Sequence, residues 1–300
     1  MESFIITITF LLIGMALKRI PDFSDDTGNV LNLFVIYISL PALILLKISK
    51  LVFSKSLLVP AFMPWGMLLF SCALILLLSR VLNWERATTG CLLLLIPLGN
   101  TSFLGVPMVK AFFGENAIPY ALLYDQLGSF LALATYGSLI LAIYGTGESK
   151  PTIKGVVKKV VSFPPFVALV FALIFKAFPY PPIVVNLLKI LAATLIPLVM
   201  IAVGFQLTLR LDRKVISQLS IGLSIKLIAA PLTALFFCKL AGLEGKAVEV
   251  SIFEAGMPPM VSAGALAILA NLSPVLTAAL VGIGIILSFV TLPMLHQLLL

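Results

Sequence analysis

Residues Ile96–Gly114 read IPLGNTSFLGVPMVKAFFG, and the reading of this stretch decides the fold. It lies inside an apolar run that begins near Cys91, yet it holds Pro97, Gly99, Asn100, Thr101, Gly105 and Pro107. Proline removes a backbone donor and clashes with the preceding turn, and glycine weakens a helix further. A helix carrying these residues at mid-depth is expected to break. In lipid such a break persists only where protein or a wet cavity satisfies the freed backbone groups. Residues Phe253–Gly264, FEAGMPPMVSAG, repeat the pattern near the other end, with Gly256, Pro258 and Pro259. Two interrupted membrane helices in corresponding halves of a chain point to the binding site of a transporter.

Composition supports a membrane setting. Hydrophobic residues are 61% of the 300 and charged residues 11%, with a mean hydropathy of +1.19. A soluble domain carries about 25% charged residues, so the chain reads as an all-α polytopic membrane protein. The net charge of +8 is no nucleic-acid signal, because the Lys and Arg lie between apolar runs, where they set orientation. Met1-Glu2-Ser3 is no basic n-region, so Phe4–Leu17 reads as part of a retained first helix and not as a cleaved signal peptide. Cys72, Cys91 and Cys238 are far apart within apolar runs and read as small core residues.

Windows of about 20 apolar residues give ten spans. They are Ser3–Ile20, Val30–Ile48, Leu57–Leu78, Ala87–Phe113 (broken), Ala117–Tyr144, Phe163–Phe178, Ile183–Leu207, Ile216–Lys239, Ala247–Ala270 (broken) and Pro274–Leu299. The longest connection, Gly145–Val161, carries Lys150, Lys154, Lys158 and Lys159 and reads as an amphipathic helix on the membrane surface. Eleven Lys and Arg fall on one side: Lys18, Arg19, Arg80, Arg86, the four lysines just named, Arg210, Arg213 and Lys214. The other side holds seven: Lys47, Lys50, Lys55, Lys110, Lys176, Lys239 and Lys246. The positive-inside bias places the first set in the cytoplasm and both termini on the non-cytoplasmic side.

Four landmarks recur at a near-constant offset. Pro41 and Pro197 are 156 apart, Gly99 and Gly256 157, Pro119 and Pro274 155, Gly128 and Gly284 156. This argues for two five-span repeats, residues 1–150 and 151–300. Because five is odd, the second copy enters the membrane from the opposite side, which makes the repeats inverted.

Two carboxylates stand inside spans. Asp125 is roughly 13 Å into the fifth span at 1.5 Å per residue, and Glu254 closely precedes the second break. An ionised carboxylate in hydrocarbon is costly, so such groups face a wet cavity, pair, or take a proton or cation. Two readings stay open: a coupling site for H⁺ or Na⁺, or a structural pairing with Lys226 or Lys189. Glu249, near a span end, reads as a solvated cap. At the first break, Gly99, Asn100 and Thr101 offer backbone N–H groups, a positive helix end and an amide donor, which suit a carboxylate. Asn100 could equally satisfy backbone freed by Pro97. At the second, Met257, Pro258 and Ser262 supply an apolar wall and a hydroxyl. Pro97, Gly105, Pro107, Gly256 and Pro259 shape the two crossover segments. There is no H-E-x-x-H, no Cys–His pair and no P-loop, and the only histidine is His296. An enzyme, a metal site and a cofactor are therefore not expected; an aspartyl-type intramembrane site is the one enzymatic alternative.

On these residues the chain resembles the auxin efflux carrier family, which includes the plant PIN carriers and their bacterial relatives. Asn100-Thr101-x-x-Leu104-Gly105-Val106-Pro107-Met108-Val109-Lys110-Ala111-x-x-Gly114 is similar to the family's N-T-x-x-x-G-x-P pattern. Ala255-x-Met257-Pro258 with Pro274, and Leu31-Asn32-x-Phe34-Val35 leading to Pro41, extend the likeness over the whole chain. The resemblance implies ten helices in which the fourth and ninth cross as broken helices. It implies a dimerising scaffold of spans one, two, six and seven beside a mobile transport domain of spans three to five and eight to ten. It further implies an elevator-type movement, with Asn100 contacting the substrate's carboxylate. Ala263 stands where plant carriers often have proline, and the long hydrophilic loop of many plant members is absent. That favours the short-loop prokaryotic branch, located in the cytoplasmic membrane, whose assigned substrates look like malate or malonate; an auxin-like acid is the other substrate class.

The expected function is thus secondary transport of a small organic anion by a homodimer in the lipid bilayer. The alternative is a membrane-embedded receptor or sensor with the carrier fold that binds without translocating. The absence of an appended soluble domain in the sequence favours the transporter.

Overall fold

The computed structural model of the chain describes residues 2–49, 51, 55–146, 152–176, 178, 180–207, 212 and 215–300. Of the charges used for orientation, Lys50, Lys150, Arg210, Arg213 and Lys214 lie outside the described residues. Among the described residues every regular element is helical. In order these are α1 Glu2–Leu17, α2 Thr27–Ile48, α3 Lys55–Val81, α4 Arg86–Leu95, α5 Thr101–Phe113, α6 Glu115–Tyr144 and α7 Ile153–Val161. There follow α8 Pro164–Ile174, α9 Pro182–Gln206, α10 Ile216–Leu240, α11 Lys246–Ala255, α12 Val261–Leu269 and α13 Pro274–Leu299.

Six of the described helices (α2, α3, α6, α9, α10 and α13) are long and apolar enough to cross a membrane; the bent pair α7–α8, at 66°, makes a seventh if counted as one span. The polytopic, all-helical reading is therefore the architecture observed. The two interrupted spans contribute only short pieces, because a break at mid-depth divides each apolar run. Thus α4 and α5 are each shorter than a full crossing, and α1 is short as well.

Proline shapes the long helices in a consistent way. Three wide π-type turns, Val35–Ser39, Thr101–Gly105 and Ile225–Ala229, each end two residues before a proline: Pro41, Pro107 and Pro231. Proline cannot donate to the preceding turn and its ring crowds the carbonyl there. Admitting one extra residue into that turn lets the helix continue past it. Two further π-type turns, Asp125–Phe130 and Leu133–Gly137, interrupt α6.

The chain falls into two compact units. The first comprises Met1–Ser54, Ser102–Leu122 and Lys158–Leu207; the second comprises Lys55–Thr101, Leu123–Val157 and Thr208–Leu300. In the first, α1 packs along the C-terminal part of α9 with backbones in near contact. A Cβ added to Gly14 would lie 2.1 Å from the Ile201 carbonyl oxygen, and one on Gly204 would lie 2.0 Å from that of Leu11. Membrane helices associate through such small residues, since apolar side chains gain little by leaving lipid. The hydroxyls of Ser39 on α2 and Thr194 on α9 share a hydrogen bond of 2.7 Å.

In the second unit α4 is enclosed from Thr89 to its end at Leu95. Leu92, Leu94, Leu95 and the following Ile96 are fully buried, packed with Ile75, Ala263, Ala267, Leu276 and Leu280. A helix that is apolar all round belongs inside protein, and this enclosure holds the first break in place. Nearby, Pro64 of α3 sits directly against Gly128 of α6, where a Cβ would come within 2.2 Å of the proline ring. The Trp65 Nε1–H donates to the Leu127 carbonyl at 3.0 Å.

Candidate functional site

The site is built where two helices stop. Helix α4 ends at Leu95 and α5 begins at Thr101; α11 ends at Ala255 and α12 begins at Val261. Between them, Leu98–Asn100 and Pro258–Met260 run antiparallel as a short two-stranded bridge centred on Gly99 and Pro259. The Asn100 N–H donates to the Pro258 carbonyl at 2.8 Å, and the Met260 N–H donates to the Leu98 carbonyl at 3.0 Å. The N–H groups of Asn100 and Met260 and the carbonyls of Leu98 and Pro258, left outside the helices, are thus satisfied by pairing one break with the other, while the Leu93 carbonyl freed by Pro97 accepts from the Tyr136 hydroxyl at 2.6 Å. Buried backbone groups need such partners. The pairing is possible because Gly99 carries no side chain: a Cβ there would lie 3.1 Å from Lys226 Nζ and 3.5 Å from Met257 Cβ.

Charged side chains converge on this bridge. Asp125, Lys226 and Glu254 are all buried, the first two on the wide turns of α6 and α10. The Thr101 hydroxyl donates to Asp125 Oδ1 at 2.6 Å, and Gln126 Nε2 donates to Oδ2 at 2.6 Å. Short hydroxyl-to-carboxylate bonds of this kind are the strong, charge-assisted class. Neither carboxylate oxygen of Glu254 accepts a hydrogen bond from the described residues. It is attracted by Lys226 and repelled by Asp125. Among the described residues no ion pair joins Lys226 to Glu254. Asn100 Nδ2 and Gln126 Oε1 are also buried without a hydrogen-bond partner. A cavity of about 10 Å³ lies between Pro97, Gly99, Tyr124, Ser129, Lys226 and Glu254. That is about the space of one water.

The arrangement therefore combines buried donors and acceptors that have no protein partner among the described residues. An ammonium and an amide N–H₂ can hold an anion, and two carboxylates can hold a proton or a cation. The positive N-terminal ends of α5 and α12 begin beside the bridge, which adds to anion affinity.

Of the expected site residues, the structure brings Pro97, Gly99, Asn100, Thr101, Met257, Pro258, Pro259, Asp125 and Glu254 into this region. Gly256 caps α11 and packs against Leu295. Gly105 and Pro107 lie past the break in helical backbone, within the first unit. Ser262 is half-buried on the first turn of α12, and its hydroxyl makes no hydrogen bond among the described residues. Glu249 pairs with Lys246 at 2.9 Å near the start of α11, as a cap does. Of the two lysines weighed as partners for the carboxylates, Lys226 interacts with Glu254, whereas Lys189 is exposed and belongs to the other unit. Sequence reasoning overlooked Gln126, whose one signal is a polar side chain next to Asp125 in an apolar span. It also left Lys226 as no more than a counter-charge.

Comparison with known proteins agrees with this architecture. The family model described as "Membrane transport protein" matches residues 1–296. One relative, an uncharacterized transporter of Methanocaldococcus jannaschii, is 28% identical over 269 residues, covering 86% of this chain and 85% of the relative. Another, an uncharacterized transporter of Methanothermobacter thermautotrophicus, is 28% identical over 298 residues, covering 98% and 96%. Family and names point to membrane transport and not to catalysis. With the match running almost from end to end, the chain belongs to the membrane transport protein family, the auxin efflux carrier family that its motifs resemble.

Proposed function

We propose that the protein is a secondary active transporter of a small organic anion, a carboxylate such as malate or malonate or an auxin-like acid, working by alternating access around the paired breaks. The observation that carries this reading is the Gly99–Pro259 bridge, with the partnerless Asn100 amide and the Lys226 ammonium buried beside it. Asn100, Thr101 and Lys226 would hold the substrate carboxylate, with Met257 and Pro258 as the wall. Asp125 and Glu254 would carry the coupling H⁺ or Na⁺, and filling that position lowers the cost of two buried negative charges close together.

The reading includes ten spans in two inverted repeats and both termini on the non-cytoplasmic side of a prokaryotic cytoplasmic membrane. It also includes an elevator-type movement of spans three to five and eight to ten against a dimerising scaffold of spans one, two, six and seven. Radiolabelled malonate uptake into proteoliposomes tests it. Wild type accumulates the anion and Asn100→Ala loses at least tenfold in uptake; equal uptake by the two overturns the site. Replacing Na⁺ by choline at fixed pH, then collapsing the pH gradient, identifies the coupling ion as the one whose removal stops uptake.

A further inference from the structure

The first unit holds a cavity of about 390 Å³. Its apolar wall is formed by residues such as Leu43, Val106 and Ile196, and its charged groups are Lys47, Lys110, Lys189 and Glu115. Glu115 bridges two of the lysines, with one oxygen 2.9 Å from Lys47 Nζ and the other 3.1 Å from Lys110 Nζ. No carboxylate lies within ion-pair distance of Lys189 among the described residues. Two ammonium groups therefore share one carboxylate, and a third stands without one, around an apolar hollow. None of these residues belongs to the paired breaks, which lie in the second unit.

We propose that this cavity is a second site, one that binds an organic carboxylate with an apolar body, and that Glu115 is its built-in competitor. The size falls within the range of small-ligand pockets, and an apolar wall with a few convergent charged groups is their usual make-up. The Glu115 side chain is 59% exposed, against 20% for Lys47 and 37% for Lys110. The anion is thus more open to water than either lysine it bridges. Exposed ion pairs hold weakly, so a ligand carboxylate takes the place of the Glu115 carboxylate with little loss. Lys189 then supplies a further positive charge that Glu115 does not reach, and the apolar body fills the hollow. Charge gathered in a concave wall also raises the local concentration of anions.

The test is calorimetric titration of hexanoate into the purified full chain in nanodiscs of zwitterionic lipid. Glu115→Gln keeps the side chain's size and frees both ammonium groups. It is expected to bind hexanoate five- to tenfold more tightly than wild type, while Lys47→Gln with Lys110→Gln binds at least tenfold more weakly. Acetate, with the same head and almost no apolar body, binds more weakly than hexanoate. Equal or weaker binding by Glu115→Gln overturns the proposal, as does indifference to the two lysines.

Repeating the titrations in the Asn100→Ala background separates this site from the paired breaks. A gain that persists there belongs to the first unit, and a gain that vanishes overturns the inference. Failure of malonate uptake would sink the transport reading and leave these binding results standing. In discs of phosphatidylglycerol, unchanged hexanoate affinity supports a soluble acid as the ligand. A tenfold loss there, with no gain from Glu115→Gln, assigns the site to a lipid headgroup and overturns the proposal.

Discussion

Thr101→Val probes the connection between the first break and the buried carboxylate. Valine matches threonine in shape and removes only the hydroxyl that donates to Asp125 Oδ1 at 2.6 Å. Thr101 and Asp125 are both buried, so water does not readily replace the lost donor. Gln126 still serves the other oxygen at 2.6 Å, which limits the damage to one bond. A hydrogen bond to a charged group is worth about 1.5–3 kcal/mol, and 1 kcal/mol moves the midpoint by about 2–4 °C in domains of comparable size, so the expected loss is roughly 3–12 °C. Thermal unfolding of the purified protein followed by tryptophan fluorescence reads it directly, and Thr101→Ser should restore most of the loss. Uptake should respond differently from stability, with the dependence on the coupling ion shifting to higher concentration. A Thr101→Val protein that melts with wild type and takes up malonate with the same ion dependence would refute the claim that Thr101 holds Asp125 in place.

Further outcomes follow from the packing and the charges. Gly204→Ala places a Cβ 2.0 Å from the Leu11 carbonyl, and the forced separation of α1 from α9 should cost about 1–3 kcal/mol, read as a lower melting temperature; an unchanged midpoint would deny the close approach. Lys226→Met takes the attracting cation away from Glu254. Breaking a close buried pair costs about 3–5 kcal/mol, and since no ion pair joins these two, a smaller loss is expected. Adding Glu254→Gln should recover the stability without recovering uptake, and a double variant no more stable than Lys226→Met would show that the two charges do not interact.

The two breaks were legible because proline and glycine act locally. Pro97 with Gly99, and Gly256 with Pro258 and Pro259, disfavour helix whatever surrounds them, and helix is lost at those positions. Asp125 and Glu254 were legible as carboxylates in apolar runs, where an unexplained charge is conspicuous. What the breaks pair with was not legible. A sequence reports depth along a helix far better than the direction a side chain faces around it, and a wide turn shifts that direction. The turns at Asp125–Phe130 and Ile225–Ala229 carry Asp125 and Lys226, so the periodicity that would aim them is disturbed at the residues that matter. Long-range partners such as Lys47 and Glu115, 68 residues apart, leave no local trace at all.

The central claim is that the junction of the two interrupted helices receives a carboxylate. Cryo-electron microscopy of the purified protein in nanodiscs with saturating malonate tests it most directly. The account predicts Gly99 paired with Pro259 and a malonate carboxylate within hydrogen-bond distance of Asn100 Nδ2 and close to Lys226 Nζ. Continuous helices through residues 96–100 and 256–260, or malonate bound without contact to Asn100, would contradict it.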